Sequence, residues 1–193
     1  LIRTLSPGLR LEVGPGVREL KGAVLVSNHL SLMDPLLMIW LFPRCKTILK
    51  PGWLRVPIFG WFTRGCGYVP AGEGAWTGAE AEQRLAQLST YLAGGGNLFI
   101  FPEGTRGRHG TVGPFRRGAF ALAQATGRPV ALLRISGSEQ LLKRGTFWVN
   151  TCVSNTVRVE LVGMLERGPD SAEIAPAALA KQAHGRYVHG GGG

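Results

Sequence analysis

Two short, unbroken apolar runs constrain this chain more than any other feature: AVLV within GAVLVSN (22–28) and LFIF within NLFIF (97–101). Runs of this length, closed by polar punctuation, read as strands buried on both faces, and the segments between them carry helical patterns. The first strand is expected over Lys21–Ser27. Asp34 followed by Pro35 reads as a helix N-cap and first helical residue, with the helix running through LLMIWLF. CKTILK (45–50) and GCGYVP (65–70) read as short strands. PGWLRVPIFGWF (51–62), between them, reads as a loop or broken helix because of its Pro and Gly spacing. A helix is expected from Thr77 to about Leu92 on a stripe of Leu85, Leu88 and Leu92, and GGG ends it. A further helix near Gly118–Ala125 leads to the strand VALLRI (130–135). FWVNTCV (147–153) and TVRVELV (156–162) alternate like antiparallel strands around a turn at Ser154 and Asn155, and a last helix falls within Pro176–Gly185. The expected architecture is a single-domain α/β fold, a mixed sheet flanked by helices. It spans residues 1–188, with 189–193 a flexible glycine tail.

At 193 residues and 45% hydrophobic content the chain can bury a real core in one domain. No apolar span reaches 18 residues, since Pro35–Phe42 is stopped by Asp34 and by Pro43 and Arg44. The chain starts at Leu1 without methionine or a signal pattern, so a preceding segment, including a membrane anchor, is an expectation. Cys45, Cys66 and Cys152 form no CxxC pair and no even framework, which fits a reducing compartment. No metal is expected, because His29, His109, His184 and His189 do not fall at ligand spacing with cysteines or acids.

The net charge of +10 is unevenly placed. No acid occurs between Asp34 and Glu73, where Arg44, Lys46, Lys50, Arg55 and Arg64 alternate with Trp40, Phe42, Trp53, Phe59, Trp61 and Phe62. None occurs between Glu103 and Glu139, a window holding Arg106, Arg108, Arg116, Arg117, Arg128 and Arg134. Such windows point to an anionic partner, and cations among Trp and Phe suit an anionic membrane surface. Nucleic acid is the competing anion, but there is no RNP-like aromatic pattern and no CxxC finger, so no nucleic acid is expected.

Two motifs carry chemistry. In SNHLSLMDP, His29 and Asp34 are five positions apart, a step that turns a helical side chain by about 140°. The two therefore meet only if His29 lies in the turn between the first strand and the following helix. A carboxylate on one ring nitrogen then fixes the tautomer and supports a general base for a hydroxyl; the plainer alternative is a helix cap beside an ordinary loop histidine. In NLFIFPEGTRGRHG, Pro102 stops the strand and holds Glu103, Gly104, Thr105 and Arg106 at its C-terminal end, where open α/β sheets bind ligands. Gly104 permits close backbone approach, and Arg106 offers a fork of donors to phosphate or carboxylate.

Together NHLSLMD and FPEGTR resemble the N-H-x4-D and F-P-E-G-T-R blocks of the glycerophospholipid acyltransferases, the group that contains the bacterial 1-acyl-glycerol-3-phosphate acyltransferases. LKPGWLRVPIFGWFTRGCGYVP and GPFRRGAFALAQATGRPVALLRISGS extend the resemblance, in order, over about Lys21 to Leu165. It implies a glycerol-3-phosphate acyltransferase-like fold, and transfer of a fatty acyl group from acyl-carrier protein or coenzyme A to the free hydroxyl of a lysophospholipid acceptor, 1-acyl-glycerol-3-phosphate, giving phosphatidic acid. By the same resemblance His29 takes the hydroxyl proton and Asp34 orients His29. Gly104, Thr105 and Arg106 form the phosphate site, with Glu103 structuring the loop. No acyl-enzyme and no cofactor are implied, and the place of work is the cytoplasmic face of a membrane, reached peripherally or through an N-terminal anchor. One position departs from the family: Glu73 stands where an arginine implicated in phosphate binding is usual. Either Arg64, Arg106 or Arg108 supplies that contact, or the acceptor is a different lyso-lipid such as lyso-ornithine lipid. A non-catalytic lipid- or nucleic-acid-binding protein is the alternative from another class.

Overall fold

A computed structural model of the chain describes residues 8–49, 69–70, 77–107, 111–141, 154–166 and 174–189. Within them the strands are β1 (Leu9–Val13), β2 (Val24–Ser27), β3 (Cys45–Leu49), β4 (Val69–Pro70), β5 (Asn97–Ile100), β6 (Val130–Ser136) and β7 (Asn155–Leu165). The helices are α1 (Met33–Leu41), α2 (Gly78–Ala93), α3 (Gly118–Thr126) and α4 (Pro176–His189). The strands form one sheet in the order β1-β7-β6-β2-β5-β3-β4, parallel throughout except between β6 and β7.

The apolar runs become the centre of this sheet because both of their faces are covered. Every residue of β2 and of β5 is buried. Alternation along the strands then sorts side chains into two cores. Val24, Val26, Leu98, Ile100, Val130 and Leu132 pack against Leu88 and Leu92 of α2, Phe120 and Ala123 of α3, and Ala183 and Tyr187 of α4. On the other face Leu25, Phe99, Ala131, Leu133 and Ile135 meet Met38 and Leu41 of α1 and Val157 and Val159 of β7. Since β2, β5 and β6 run parallel, the segments that follow Ser27, Ile100 and Ser136 leave the sheet at the same edge.

The expected mixed α/β sheet is present, with three differences in detail. First, α1 begins at Met33 with Leu32 already in the right-handed helical region (φ −63°, ψ −14°), so Asp34 is not its N-cap. Pro35 is tolerated in this first turn because its missing N–H has no intrahelical partner there. Second, the antiparallel neighbour of β7 is β6, with Val130 opposite Leu165 and Ser136 opposite Arg158, while β1 covers the other edge of β7. Residues 147–153, expected as the hairpin partner, lie outside the described residues, as does 51–62. Third, α4 continues through Gly185 to His189, one residue into the expected tail. Among the described residues no helix is long and apolar enough to cross a membrane.

Candidate active site

The end of β2 is built to turn. Asn28 uses its side-chain amide as a substitute peptide: Nδ2 donates to the Ile135 carbonyl at 2.8 Å, and Oδ1 accepts the Ile135 N–H at 2.8 Å. The ladder to β6 is thereby satisfied while the Asn28 backbone leaves the sheet. His29 follows in the turn, and its ring stacks on Phe101, the residue after β5, with centroids 4.0 Å apart and an interplanar angle of 20°.

Asp34, fully buried in the first turn of α1, reaches back to that ring. Its Oδ2 lies 3.1 Å from His29 Nδ1 and also accepts the N–H groups of Leu30 at 2.7 Å and Ser31 at 2.8 Å. Three donors on one oxygen compensate the buried charge that an isolated carboxylate could not sustain. Because Oδ2 can only accept from Nδ1, the network assigns the ring proton to Nδ1 and leaves the lone pair on Nε2. The ring keeps 11% of its side-chain surface exposed. The structure thus brings His29 and Asp34 together as the sequence suggested, by a carboxylate that reaches upstream and does not cap the helix.

The second motif is tied to the first through the main chain of residue 29. Glu103, itself buried, accepts the His29 N–H on Oε1 at 2.9 Å and the Gly113 N–H on Oε2 at 2.8 Å. The Gly107 N–H donates to the His29 carbonyl at 2.7 Å. Burial raises the Glu103 carboxyl above its ordinary value, opposed by its bonds to Gly113 and His29 and by the charges of His29 and His184.

That shift carries a sign. A raised value in the folded chain means Glu103 contributes most to stability below its unfolded value near 4.5, a contribution lost as pH rises through the folded value. Glutamine does not titrate. The gap in thermal midpoint between the wild type and Glu103→Gln is therefore expected to move in favour of the wild type as pH is lowered from neutrality past 4.5. A gap moving the opposite way in pH-resolved thermal unfolding would mean the two N–H bonds outweigh burial.

The phosphate-site candidates sit on the loop that follows Phe101. Gly104 has φ +68°, a left-handed conformation that other residues adopt only with strain, and a Cβ there would stand 3.1 Å from the Arg116 guanidinium. Thr105 is exposed, and Arg106, half-buried, has no hydrogen-bond or ion-pair partner among the described residues. Arg116 joins this group: its N–H donates to the Pro102 carbonyl at 2.9 Å and its side chain lies against Gly104. Arg64, Arg108 and Glu73 lie outside the described residues. Among the described residues no group of three or more His, Cys, Asp or Glu could hold a metal ion. Sequence reasoning singled out His29, Asp34 and Glu103–Arg106 but gave no role to Asn28, Phe101 or Gly113. An Asn directly after a buried strand was the only local signal for the first.

A family model described as Acyltransferase matches residues 13–136. A chloroplastic 1-acyl-sn-glycerol-3-phosphate acyltransferase of Brassica napus is 34% identical over 124 residues, 64% of this chain and 35% of that protein. A 1-acyl-sn-glycerol-3-phosphate acyltransferase of Pseudomonas aeruginosa is 31% identical over 140 residues, 72% of this chain and 54% of that protein. The chain thus spans a third to a half of the length of these relatives. The crystal structure of the 1-acyl-sn-glycerophosphate (LPA) acyltransferase PlsC from Thermotoga maritima superposes with a TM-score of 0.66 at 23% identity, covering 94% of this chain and 72% of that one. The fold is shared with that protein.

Proposed function

Since the chain belongs to the acyltransferase family, we propose that it moves a fatty acyl group from acyl-carrier protein or coenzyme A to the free hydroxyl of 1-acyl-glycerol-3-phosphate, giving phosphatidic acid. The observation that carries this reading is the dyad: His29 Nδ1 held at 3.1 Å by a buried Asp34, with Nε2 left to take a proton. Nε2 accepts the hydroxyl proton as the acceptor oxygen attacks the thioester carbonyl carbon. The tetrahedral intermediate then collapses, the C–S bond breaks with its electron pair going to sulfur, and the imidazolium returns the proton to the departing thiolate. Asp34 supports the transient imidazolium throughout. No step uses a cysteine; Cys45 lies in the core.

The cationic loop supports a phosphate-bearing acceptor. Gly104, Thr105 and Arg106 leave the sheet edge beside the motif that holds His29, and Arg116 adds a second guanidinium against them. A fork of donors matches a phosphate better than a point charge does. Arg106→Lys, which keeps the charge and loses the fork, is expected to raise KM for lysophosphatidic acid about tenfold while KM for the acyl thioester stays within twofold, as befits losing one charge-assisted bond. Initial rates with a panel of lyso-lipids test this. Unchanged acceptor dependence, or a preference for lyso-ornithine lipid, would favour a non-phosphate acceptor, the choice that Glu73 suggests.

The same reading sets the protein on the cytoplasmic face of an anionic membrane. The charge of +10 and the two acid-free windows support it. So does Trp40 on α1, which is 54% exposed with the Arg18 guanidinium 5.7 Å from its ring centre. An exposed Trp beside a cation is suited to the headgroup layer, where the ring sits among glycerol esters and the cation meets phosphate.

A further inference from the structure

We propose that His184, on α4, is a positioning residue that holds the His29 turn in its working geometry through a continuous chain of hydrogen bonds. The proposal rests on the acyl-transfer reading above, and His184 lies beyond residues 13–136, the part of the chain that the family model matches. His184 Nε2 is 3.2 Å from the Val112 carbonyl, which can only accept, so the ring donates. That carbonyl belongs to the same peptide unit as the Gly113 N–H, which donates to Glu103 Oε2 at 2.8 Å. The other oxygen of Glu103 takes the His29 N–H at 2.9 Å. Polarisation runs one way along the series: a donor on the Val112 carbonyl strengthens the Gly113 N–H as a donor and fixes where Glu103 points, and Glu103 in turn fixes the peptide that carries His29.

α4 is well placed to act as the far anchor. One turn beyond His184, the buried hydroxyl of Tyr187 lies between the carbonyls of Val26 and Leu133, which share its single proton, and this sets the register of α4 on β2 and β6. Arg134 Nη2 donates to the Tyr187 carbonyl at 2.6 Å. Phe115 meets both rings edge-on, with centroids 5.3 Å from His184 and 5.0 Å from Tyr187. The segment 111–115 is therefore held between the C-terminal helix and Glu103. Among the described residues, the titratable side chains facing this junction are Glu103, His29 and Tyr187, with Arg134 beside Tyr187. The Nε2–H donor is present in the protonated ring and in one neutral tautomer, so the contact does not depend on a charge on His184.

Two substitutions separate the hydrogen bond from the packing. His184→Phe keeps a ring against Phe115 and Tyr187 but has no donor; His184→Gln keeps an N–H near the Nε2 position and loses the ring. In the full chain, His184→Phe is expected to lower kcat about tenfold, the size of one buried hydrogen bond, with KM for thioester and acceptor within twofold. His184→Gln should restore most of kcat. Amide hydrogen exchange followed by NMR reads the same chain without turnover: Gly113 and His29 should exchange faster in His184→Phe and at the wild-type rate in His184→Gln. Wild-type kcat or unchanged exchange in His184→Phe overturns the proposal, and so does a failure of glutamine to rescue. A wild-type protein that transfers no acyl group would instead defeat the functional reading, and the exchange pattern would still decide whether His184 holds the turn.

Discussion

His29→Ala is expected to lower acyl transfer by about two orders of magnitude or more while the protein stays folded, because the variant lacks the group that the proposed mechanism uses to take the hydroxyl proton. The structural cost is small for a definite reason. The two bonds that tie residue 29 to the second motif, to Glu103 Oε1 and from the Gly107 N–H, are made by its main chain and survive truncation of the side chain. Asp34 Oδ2 keeps its Leu30 and Ser31 donors, so the buried carboxylate is not stranded. What is lost besides chemistry is the stack on Phe101, at the edge of the core. Initial rates beside a thermal unfolding curve check both halves. Near wild-type kcat in a folded His29→Ala protein would remove the general base from the mechanism.

Asp34→Asn should be nearly as severe, with a kcat loss of about 10²-fold and a measurable stability cost. An asparagine turned with its oxygen towards His29 keeps the three contacts of Oδ2, but it places an NH2 group where Oδ1 is buried without a partner among the described residues. Turned the other way, the NH2 group faces three donors. Either orientation leaves a buried polar group unsatisfied, a cost of about 1–3 kcal/mol, and removes the charge that stabilises the imidazolium. The double variant His29→Ala with Asp34→Asn should transfer no more slowly than His29→Ala alone, because in the proposed mechanism Asp34 acts only through His29. A further large loss in the double variant would give Asp34 a separate task.

Much of this fold was legible because its central strands are apolar from end to end. GAVLVSN and NLFIF have little alternative but burial in a sheet, and the stripe through Leu88 and Leu92 faces that sheet as its spacing requires. Legibility failed where the partner is distant in the chain. β1 is a five-residue alternating segment whose register, Leu9 against Asn155, joins residues more than a hundred positions apart. β7 looked like half of a local hairpin because its alternation fits any antiparallel neighbour, and its own sequence does not specify that β6 is that neighbour. The site divides in the same way. The His29 and Asp34 pairing follows from five residues of local geometry, whereas the role of Asp34 as a cap was misread because capping logic looks downstream and this carboxylate binds the N–H groups of Leu30 and Ser31 behind it. Glu103 was marked as a loop residue, but its bridge between His29 and Gly113 spans 74 positions in one direction and 10 in the other. Asn28 likewise completes a ladder with Ile135, 107 residues away. Side-chain to main-chain bonds of this range leave no periodicity to read.

The most direct measurement is thiol release from an acyl thioester as lysophosphatidic acid is added, with the lipid product identified by mass, for the wild type and for His29→Ala side by side. The proposed function predicts acceptor-dependent release, one phosphatidic acid formed per thiol, and a rate at least about 10²-fold lower in the folded variant. Thiol release that ignores the acceptor, or an equal rate of phosphatidic acid formation in His29→Ala, would contradict it.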